Sequence, residues 1–375
     1  MKTRIALLSE SGLPRPYTRS KPIEIVEAEL DDPGPGELRI KVAAAGLCHS
    51  DLSVINGDRP RALPLALGHE ASGVVDGVGQ GVTRFAPGDH VVLVFAPSCG
   101  QCLPCAEGRP ALCDPAAVAG GKGTLLSGAK RIRRNGGTID HHVGVSAFSD
   151  YVVIDQGSAV KIGKDIPLDK AALLGCAVLT GAGAALNSAG LKTGQSCAVV
   201  GLGGVGLAGL LGALAASAYP VIACDLAADK RDFALELGAH HAVDPSEEGA
   251  VGKVMELTGG GVDVAVELAG SARALRFAYD IAKRGGTAVT AGLPHPSQEL
   301  SIPATSLTVS EKTLKGSYVG SCVPKRDIPR FAALMMAGSM PIERLMTHVI
   351  ALDDINEGFE RLAAGEAIRQ VIVFD

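Results

Sequence analysis

The segment Gly201-Leu-Gly203-Gly204-Val205-Gly206 constrains this chain more than any other. It follows an apolar run, Cys197 to Val200, that reads as a buried strand, and it opens a run of small apolar residues to Ala216 that reads as a helix. Glycines spaced in this way permit a tight turn and let the backbone approach a pyrophosphate at a helix N-terminus. An acidic residue, Asp225, ends the next apolar run, Val221 to Cys224. There it can accept from ribose hydroxyls and would repel a 2′-phosphate, favouring NAD over NADP. The glycines alone are a weak signal; strand, turn, helix and acid in this order make a dinucleotide site. Lys230 and Arg231 are the nearby cations that would tolerate a phosphate. The alternation continues through helix-like Ala228 to Leu237, strand-like Val262 to Leu268, helix-like Ala272 to Ala282 and strand-like Thr287 to Ala291. An α/β domain with a doubly wound parallel sheet follows.

Two uncharged stretches, Ala171 to Leu191 and Thr193 to Cys224, are long enough to span a bilayer. Glycine clusters at Gly181 to Gly183 and Gly201 to Gly206, and the Tyr219-Pro220 turn, break them into short units. The strands of a buried parallel sheet are equally apolar, so the expectation is no membrane span. The balance of 35 basic and 40 acidic side chains, net charge −5, gives no bulk attraction for nucleic acid. The first third differs in texture, with short β-like runs at Leu38 to Ala43, Gly73 to Val78 and His90 to Phe95 between Pro and Gly turns. From Cys113 to Tyr151 the chain reads as loop-like, its Lys130-Arg-Ile-Arg-Arg134 run a solvated surface. After Gly320 the βα repeat is lost, which suggests a return to the first domain. The domain boundaries expected are 1–177, 178–320 and 321–375.

Nine cysteines cannot all pair within one chain, and MKTRIALLSE has too short an apolar stretch for a secretory signal. Free thiolates in a reducing cytoplasm are expected. Cys99, Cys102, Cys105 and Cys113 lie within fifteen residues. Such spacing closes four thiolates around one ion with no vacant position, a structural zinc or, as the alternative, an iron–sulfur cluster. Cys48, His69 and Cys176 are scattered, and lone residues of these types are most often core.

Taken together, Gly46 to Asp51, Gly68-His69-Glu70, the cysteine quartet, Leu174-Gly-Cys176, Thr180-Gly181, the Gly201 fingerprint, Asp225, Asn356-Glu-Gly-Phe359 and Ile368-Arg369 resemble the zinc-dependent medium-chain alcohol dehydrogenases over essentially the whole chain. The resemblance implies a β-rich GroES-like catalytic domain completed by the C-terminal segment, a Rossmann domain, and NAD in the cleft between domains. It also implies a catalytic zinc on Cys48, His69 and Cys176, with Glu70 behind the metal as a transient ligand, and a structural zinc on the quartet. Two thiolates and a neutral imidazole balance Zn²⁺ and leave one tetrahedral position open. The implied activity is reversible oxidation of a primary or secondary alcohol to an aldehyde or ketone by hydride transfer from a zinc-bound alkoxide to NAD. Ser50 would take the first proton-relay step, Asp51 would orient His69, Phe95 would line an apolar alkyl or aryl pocket, and His49 and Arg369 would hold the pyrophosphate. Thr180, Gly201, Gly203, Gly204, Val205, Gly206, Asp225 and Lys230 complete the cofactor set. One departure stands out: Ser53 occupies the place where animal members carry a relay histidine. An alternative substrate is a glutathione adduct of formaldehyde, but Arg59 and Arg61 stand where acids would anchor glutathione. A second alternative is a non-catalytic NAD- and zinc-binding sensor. A homodimer joined through the sheet edge near residues 300–318 is implied.

Overall fold

The structure, a computed structural model, describes all 375 residues. The chain forms two units: Met1–Cys176 with Val323–Ala333 and Glu343–Asp375, and Ala177–Cys322 with Leu334–Ile342.

The first unit is built on the long strand Glu37–Gly46, which pairs antiparallel with Glu70–Val78, Tyr151–Asp155 and Arg369–Val373. His90–Val94 extends this sheet from Glu70–Val78. The strands Lys2–Leu8, Ile23–Leu30, Ile132–Arg134, Gly137–His141 and Leu65–Ala66 close a small barrel. Leu38, Ile40, Val42, Leu93, Phe148 and Phe359 are buried in the main core. Val371 and Ile372 are fully buried opposite Gly46 and Ala45. The C-terminal strand is therefore part of this unit's sheet, and it carries Arg369 to the strand end where the metal-ligand candidates begin.

The stretch from Cys113 to Tyr151 is not loop-like, and this corrects the sequence reading. It holds a helix, Asp114–Gly121, and a hairpin of Ile132–Arg134 with Gly137–His141. Asn135 (φ 52°) and Gly136 (φ 80°) form the turn, the left-handed pair that a two-residue hairpin selects. Strands of three and five residues are too short to show the period-2 pattern. The basic run is exposed at Arg133 and Arg134, as expected, but three of its cations are paired. Arg131 pairs at 2.7 Å with the fully buried Glu37, Arg133 at 3.0 Å with Asp31, and Lys130 with Asp140.

The second unit holds six parallel strands in the order His241–Val243, Val221–Cys224, Cys197–Val200, Val262–Glu267, Ala282–Thr290 and Thr313–Gly316. Numbered along the chain this is 3-2-1-4-5-6, the doubly wound order in which ligands bind at the strand C-termini beside the switch point. Cys197–Val200 is fully buried, and helix Gly204–Ala215 buries Gly206 through Ala213. This accounts for the uncharged runs, and no single helix is long and apolar enough to cross a membrane. Burial pushes the Cys197 thiol up to about 12, as fits an inert core side chain. The segment Leu334–Ile342 belongs with this unit and not with the first, to which the sequence reading gave all of 321–375. Its buried Met335, Met340 and Ile342 carry no βα period by which sequence could place them.

Candidate metal centres and nucleotide turn

Cys48 ends the loop after Glu37–Gly46 and serves as N-cap of the helix His49–Ile55. His69 precedes the strand Glu70–Val78, and Cys176 closes the turn after the helix Leu168–Ala171. The pairing of Glu37–Gly46 with Glu70–Val78, and the packing of Gly175 on Val92 and Leu93, bring these distant residues together: Sγ of Cys48 and Cys176 are 4.0 Å apart, and Cys176 Sγ lies 3.4 Å from His69 Nε2. With Glu70 they form a buried cluster whose donor atoms all lie within 4.8 Å of one another. Metal–sulfur bonds of ~2.3 Å and metal–nitrogen bonds of ~2.0 Å at tetrahedral angles require separations of this size. Gly68 makes the geometry possible. Its φ is +98°, and a Cβ there would lie 2.4 Å from Phe148 N, so only glycine can place His69 in this position.

The electrostatics suit a cation. The Cys48 thiol is held well below its ordinary pKa, first by hydrogen bonding with Cys176 and then by His69 and Arg369. Cys176 is pushed up by the same contact, by burial and by Glu70. His69 is opposed by burial yet raised by Asp51 and Cys48. Asp51 is fully buried, with Oδ2 3.0 Å from His69 Nδ1 and Oδ1 3.3 Å from the Gly68 N–H. The His69 N–H is not aimed straight at the oxygen, so the contact is more ion–dipole than linear hydrogen bond. Phe95 stands edge-on to His69, ring centroids 5.2 Å apart. Arg369 is also buried, donating from Nη1 to Leu47 O and to Glu70 Oε2, each at 3.2 Å. Arg369 thus backs the metal cluster through Glu70, a contact not anticipated from sequence. Ser50 lies on the first turn after Cys48, half-buried, and His49 is exposed. Ser53 donates to His49 O at 2.9 Å, so its hydroxyl is committed to its own helix.

Sequence reasoning missed His142. Its Nδ1 lies 3.0 Å from Asp51 Oδ1, and its ring meets that of His69 edge-on at 5.5 Å between centroids. The Asn135-Gly136 hairpin was the signal that would have lifted His141 and His142 out of a supposed loop.

Cys99, Cys102, Cys105 and Cys113 also gather their sulfurs within 4.8 Å. Sγ of Cys102 and Cys113 are 3.8 Å apart, and Cys99 Sγ accepts the N–H groups of Gln101 (3.4 Å) and Cys102 (3.3 Å). Those donors lower the Cys99 thiol to about 6. Four thiols with N–H donors aimed at the sulfurs fit a closed tetrahedral metal site.

In the second unit, a Cβ on Gly206 would lie 1.7 Å from Gly201 O, so this glycine closes the turn. A Cβ on Gly203, by contrast, meets nothing within 4 Å. The fold leaves open space at the N-terminus of Gly204–Ala215, the cradle a pyrophosphate needs. Asp225 accepts from Leu202 N–H at 2.6 Å and Ala227 N–H at 2.9 Å. Arg231 donates to Asp225 O and Leu226 O and pairs at 3.0 Å with Asp244. Lys230 is half-buried on the following helix, and Thr180 is half-buried on Ala177–Gly183.

One parallel doubly wound unit and one β-rich unit with a buried Cys, His and Cys set define a metal-dependent dehydrogenase. Residues 34–164 match the alcohol dehydrogenase GroES-like domain and residues 204–337 the zinc-binding dehydrogenase domain. The NDMA-dependent alcohol dehydrogenase of Amycolatopsis methanolica is 41% identical over 377 aligned positions, covering 100% of this chain and 99% of that one. An alcohol dehydrogenase zinc-binding domain protein from Burkholderia ambifaria superposes with a TM-score of 0.94 at 33% identity, over 100% of this chain and 99% of the other. Benzyl alcohol dehydrogenase from Acinetobacter calcoaceticus gives 0.93 at 30%, over 100% of both chains. The chain belongs to the zinc-containing medium-chain alcohol dehydrogenases, with GroES-like and Rossmann units.

Proposed function

We propose that this alcohol dehydrogenase uses NAD and oxidises an apolar primary or secondary alcohol, alkyl or aryl, at a zinc held by Cys48, His69 and Cys176. The observation that carries the reading is the buried three-donor cluster with Phe95 against His69. Zinc there supplies a Lewis acid that acidifies a hydroxyl. The protein's own groups do the rest. Phe95 offers an apolar wall that selects against polar substrates. Asp51 fixes His69 with Nε2 toward the thiols. Ser50 takes the released proton, and because Ser53 is bound to its own helix, the path beyond Ser50 runs through water.

The open face at Gly203 receives the cofactor pyrophosphate, with Gly201, Gly204, Val205 and Gly206 forming the turn and Thr180, His49 and Arg369 as the further cofactor residues of the proposal. Asp225 receives the ribose hydroxyls. Its unshared lone pairs remain available, and Arg231 is committed to Asp244, which supports NAD over NADP and leaves Lys230 as the nearest cation for a phosphate. The quartet from Cys99 holds a second, structural zinc. With six cysteines assigned to the two zincs, the buried Cys197, Cys224 and Cys322 remain as thiols, and a reducing cytoplasm is the compartment proposed. The strand Thr313–Gly316 ends the parallel sheet, and Leu307, Val309 and Tyr318 are exposed near it, which supports a homodimer through that edge.

A panel of primary, secondary, allylic and benzylic alcohols with NAD or NADP, each with and without NDMA, tests the proposal. Appearance of reduced nicotinamide with NAD and benzylic or alkyl alcohols is expected. Preference for NADP, or for a glutathione adduct of formaldehyde over every free alcohol, would overturn it. Oxidation seen only with NDMA present would overturn the claim that free NAD is the acceptor.

A further inference from the structure

Asp51 is a buried carboxylate held between two imidazoles, those of His69 and His142, each Nδ1 at 3.0 Å with its N–H off the direct line to the oxygen. His142 belongs to no motif of the site. It reaches Asp51 because the backbone after it turns sharply: Val143 (φ 46°, ψ 36°), Gly144 (φ 72°) and Ser146 (φ 57°) all lie in the left-handed region. A β-branched residue there is strained, and such strain persists only where surrounding contacts enforce it. The contacts are present. Ser146 Oγ accepts the His142 backbone N–H at 3.0 Å, and Ser146 itself is fully buried. Without His142, Asp51 Oδ1 would keep only the 3.3 Å contact from Gly68 N–H. The carboxylate could then swing away from His69.

We infer that His142 is a positioning residue of the metal centre: its Nδ1, 3.0 Å from Asp51 Oδ1 but with the N–H off the direct line to the oxygen, holds the Asp51 carboxylate by an ion–dipole contact, and the carboxylate in turn holds the His69 ring toward Cys48 and Cys176. The inference rests on the proposed zinc ligands. It concerns a fixed donor and requires no change of protonation. A partner that orients a metal ligand through one intervening group typically changes metal affinity ~10–100-fold when removed.

The test is zinc release from the holoprotein into a chelator, followed as zinc per chain, for wild type, His142→Phe, His142→Gln and His142→Asn. Phe keeps a ring beside His69 but has no donor. Gln carries its donor beyond the Nδ1 position, and Asn carries an N–H close to it. Loss of one zinc about 10-fold faster in the Phe and Gln variants, with the quartet zinc released at the wild-type rate, is expected. Asn should restore retention. Cobalt substituted at the site should show a changed visible absorption in the Phe and Gln variants only. The quartet zinc is the internal control for folding, and if the Phe variant fails it, the Gln and Asn pair carries the comparison. Wild-type release from the Phe or Gln variant, or loss equally fast in Asn, would overturn the role of the donor. A wild-type protein holding a single zinc per chain would instead overturn the ligand assignment beneath it.

Discussion

Gly203→Ala separates what the nucleotide turn does for the cofactor from what it does for the fold. Gly203 has φ −72° and ψ −176°, an extended conformation open to any residue, and a Cβ there meets no atom within 4 Å. Two small effects on folding oppose each other. Alanine caps a helix less well than glycine, at about 0.5 kcal/mol, while a less flexible unfolded chain contributes about 0.4–1 kcal/mol. Stability should stay within about 0.5 kcal/mol of wild type, a Tm change of at most ~2 °C. The same methyl group fills the space where a pyrophosphate must approach the backbone N–H groups. Loss of that approach should weaken NADH by about 10- to 100-fold, ~1.4–2.8 kcal/mol. Gly206→Ala is the contrasting case, because its Cβ would fall 1.7 Å from Gly201 O and the turn itself must move. It should lower Tm and weaken NADH together. NADH titration by fluorescence beside thermal unfolding reads both quantities. A folded Gly203→Ala protein that binds NADH with wild-type affinity would refute the pyrophosphate assignment.

Three further outcomes are expected. Asp225→Ser should raise the ratio of kcat/KM for NADP over NAD by about tenfold, with the gain limited because Arg231 stays bound to Asp244; an unchanged ratio would show that Asp225 does not read the ribose. Cys113→Ala should remove one zinc per chain and lower Tm while the other zinc stays, measured by metal analysis after dialysis; retention of both zincs would remove the quartet as a ligand set. His141 is fully buried, and burial lowers its pKa to about 4 from 6.5, while its Nε2 accepts the Arg131 N–H at 3.1 Å. The unfolded chain therefore takes up the proton first as pH falls. Stability is intact above 6.5 and declines between 6.5 and 4, by up to about 3 kcal/mol. His141→Gln should flatten that part of the stability curve in urea titrations, and an equally steep decline would place the effect elsewhere.

How much of this molecule can be read from its sequence depends on how far apart the cooperating residues lie. The quartet is legible because all four thiols fall between Cys99 and Cys113, a span that one loop can wrap around an ion. Cys48 and Cys176 are 128 residues apart and meet only in the fold, where the turn Ala172–Gly175 packs against the sheet at Val92 and Leu93. No spacing rule finds them, and only likeness to a known family picked them out. The nucleotide turn is legible for the opposite reason, since strand, turn and helix are consecutive. His142 escaped because its hairpin has strands of only three and five residues, too short to show an alternating pattern, and because the left-handed backbone at Val143 has no sequence signature. Arg369 was legible as a cation at the right motif, but its partner Glu70 is 299 positions away.

That last contact can be taken apart experimentally. Arg369 and Glu70 are 4% and 0% exposed and 3.2 Å apart. Burial works against the Arg369 charge, but Glu70 and the two thiols outweigh it and hold the guanidinium charged. Removing one partner of such a pair leaves the other charge buried without compensation, at about 3–5 kcal/mol, whereas replacing both with neutral groups of similar size is often neutral. Arg369→Met should therefore be severely destabilised, and Glu70→Gln/Arg369→Met should recover most of the loss. The coupling between the two sites should be ~2–3 kcal/mol in denaturant titrations. A double variant no more stable than Arg369→Met would refute the pairing as the reason for this arginine's burial. NADH affinity of the recovered double variant then isolates the second duty. Arg369 is also the residue proposed above as a partner of the cofactor pyrophosphate. If the double variant folds normally yet binds NADH about tenfold more weakly, a loss of ~1.4 kcal/mol, the arginine serves both Glu70 and the pyrophosphate. Wild-type NADH affinity would confine it to Glu70.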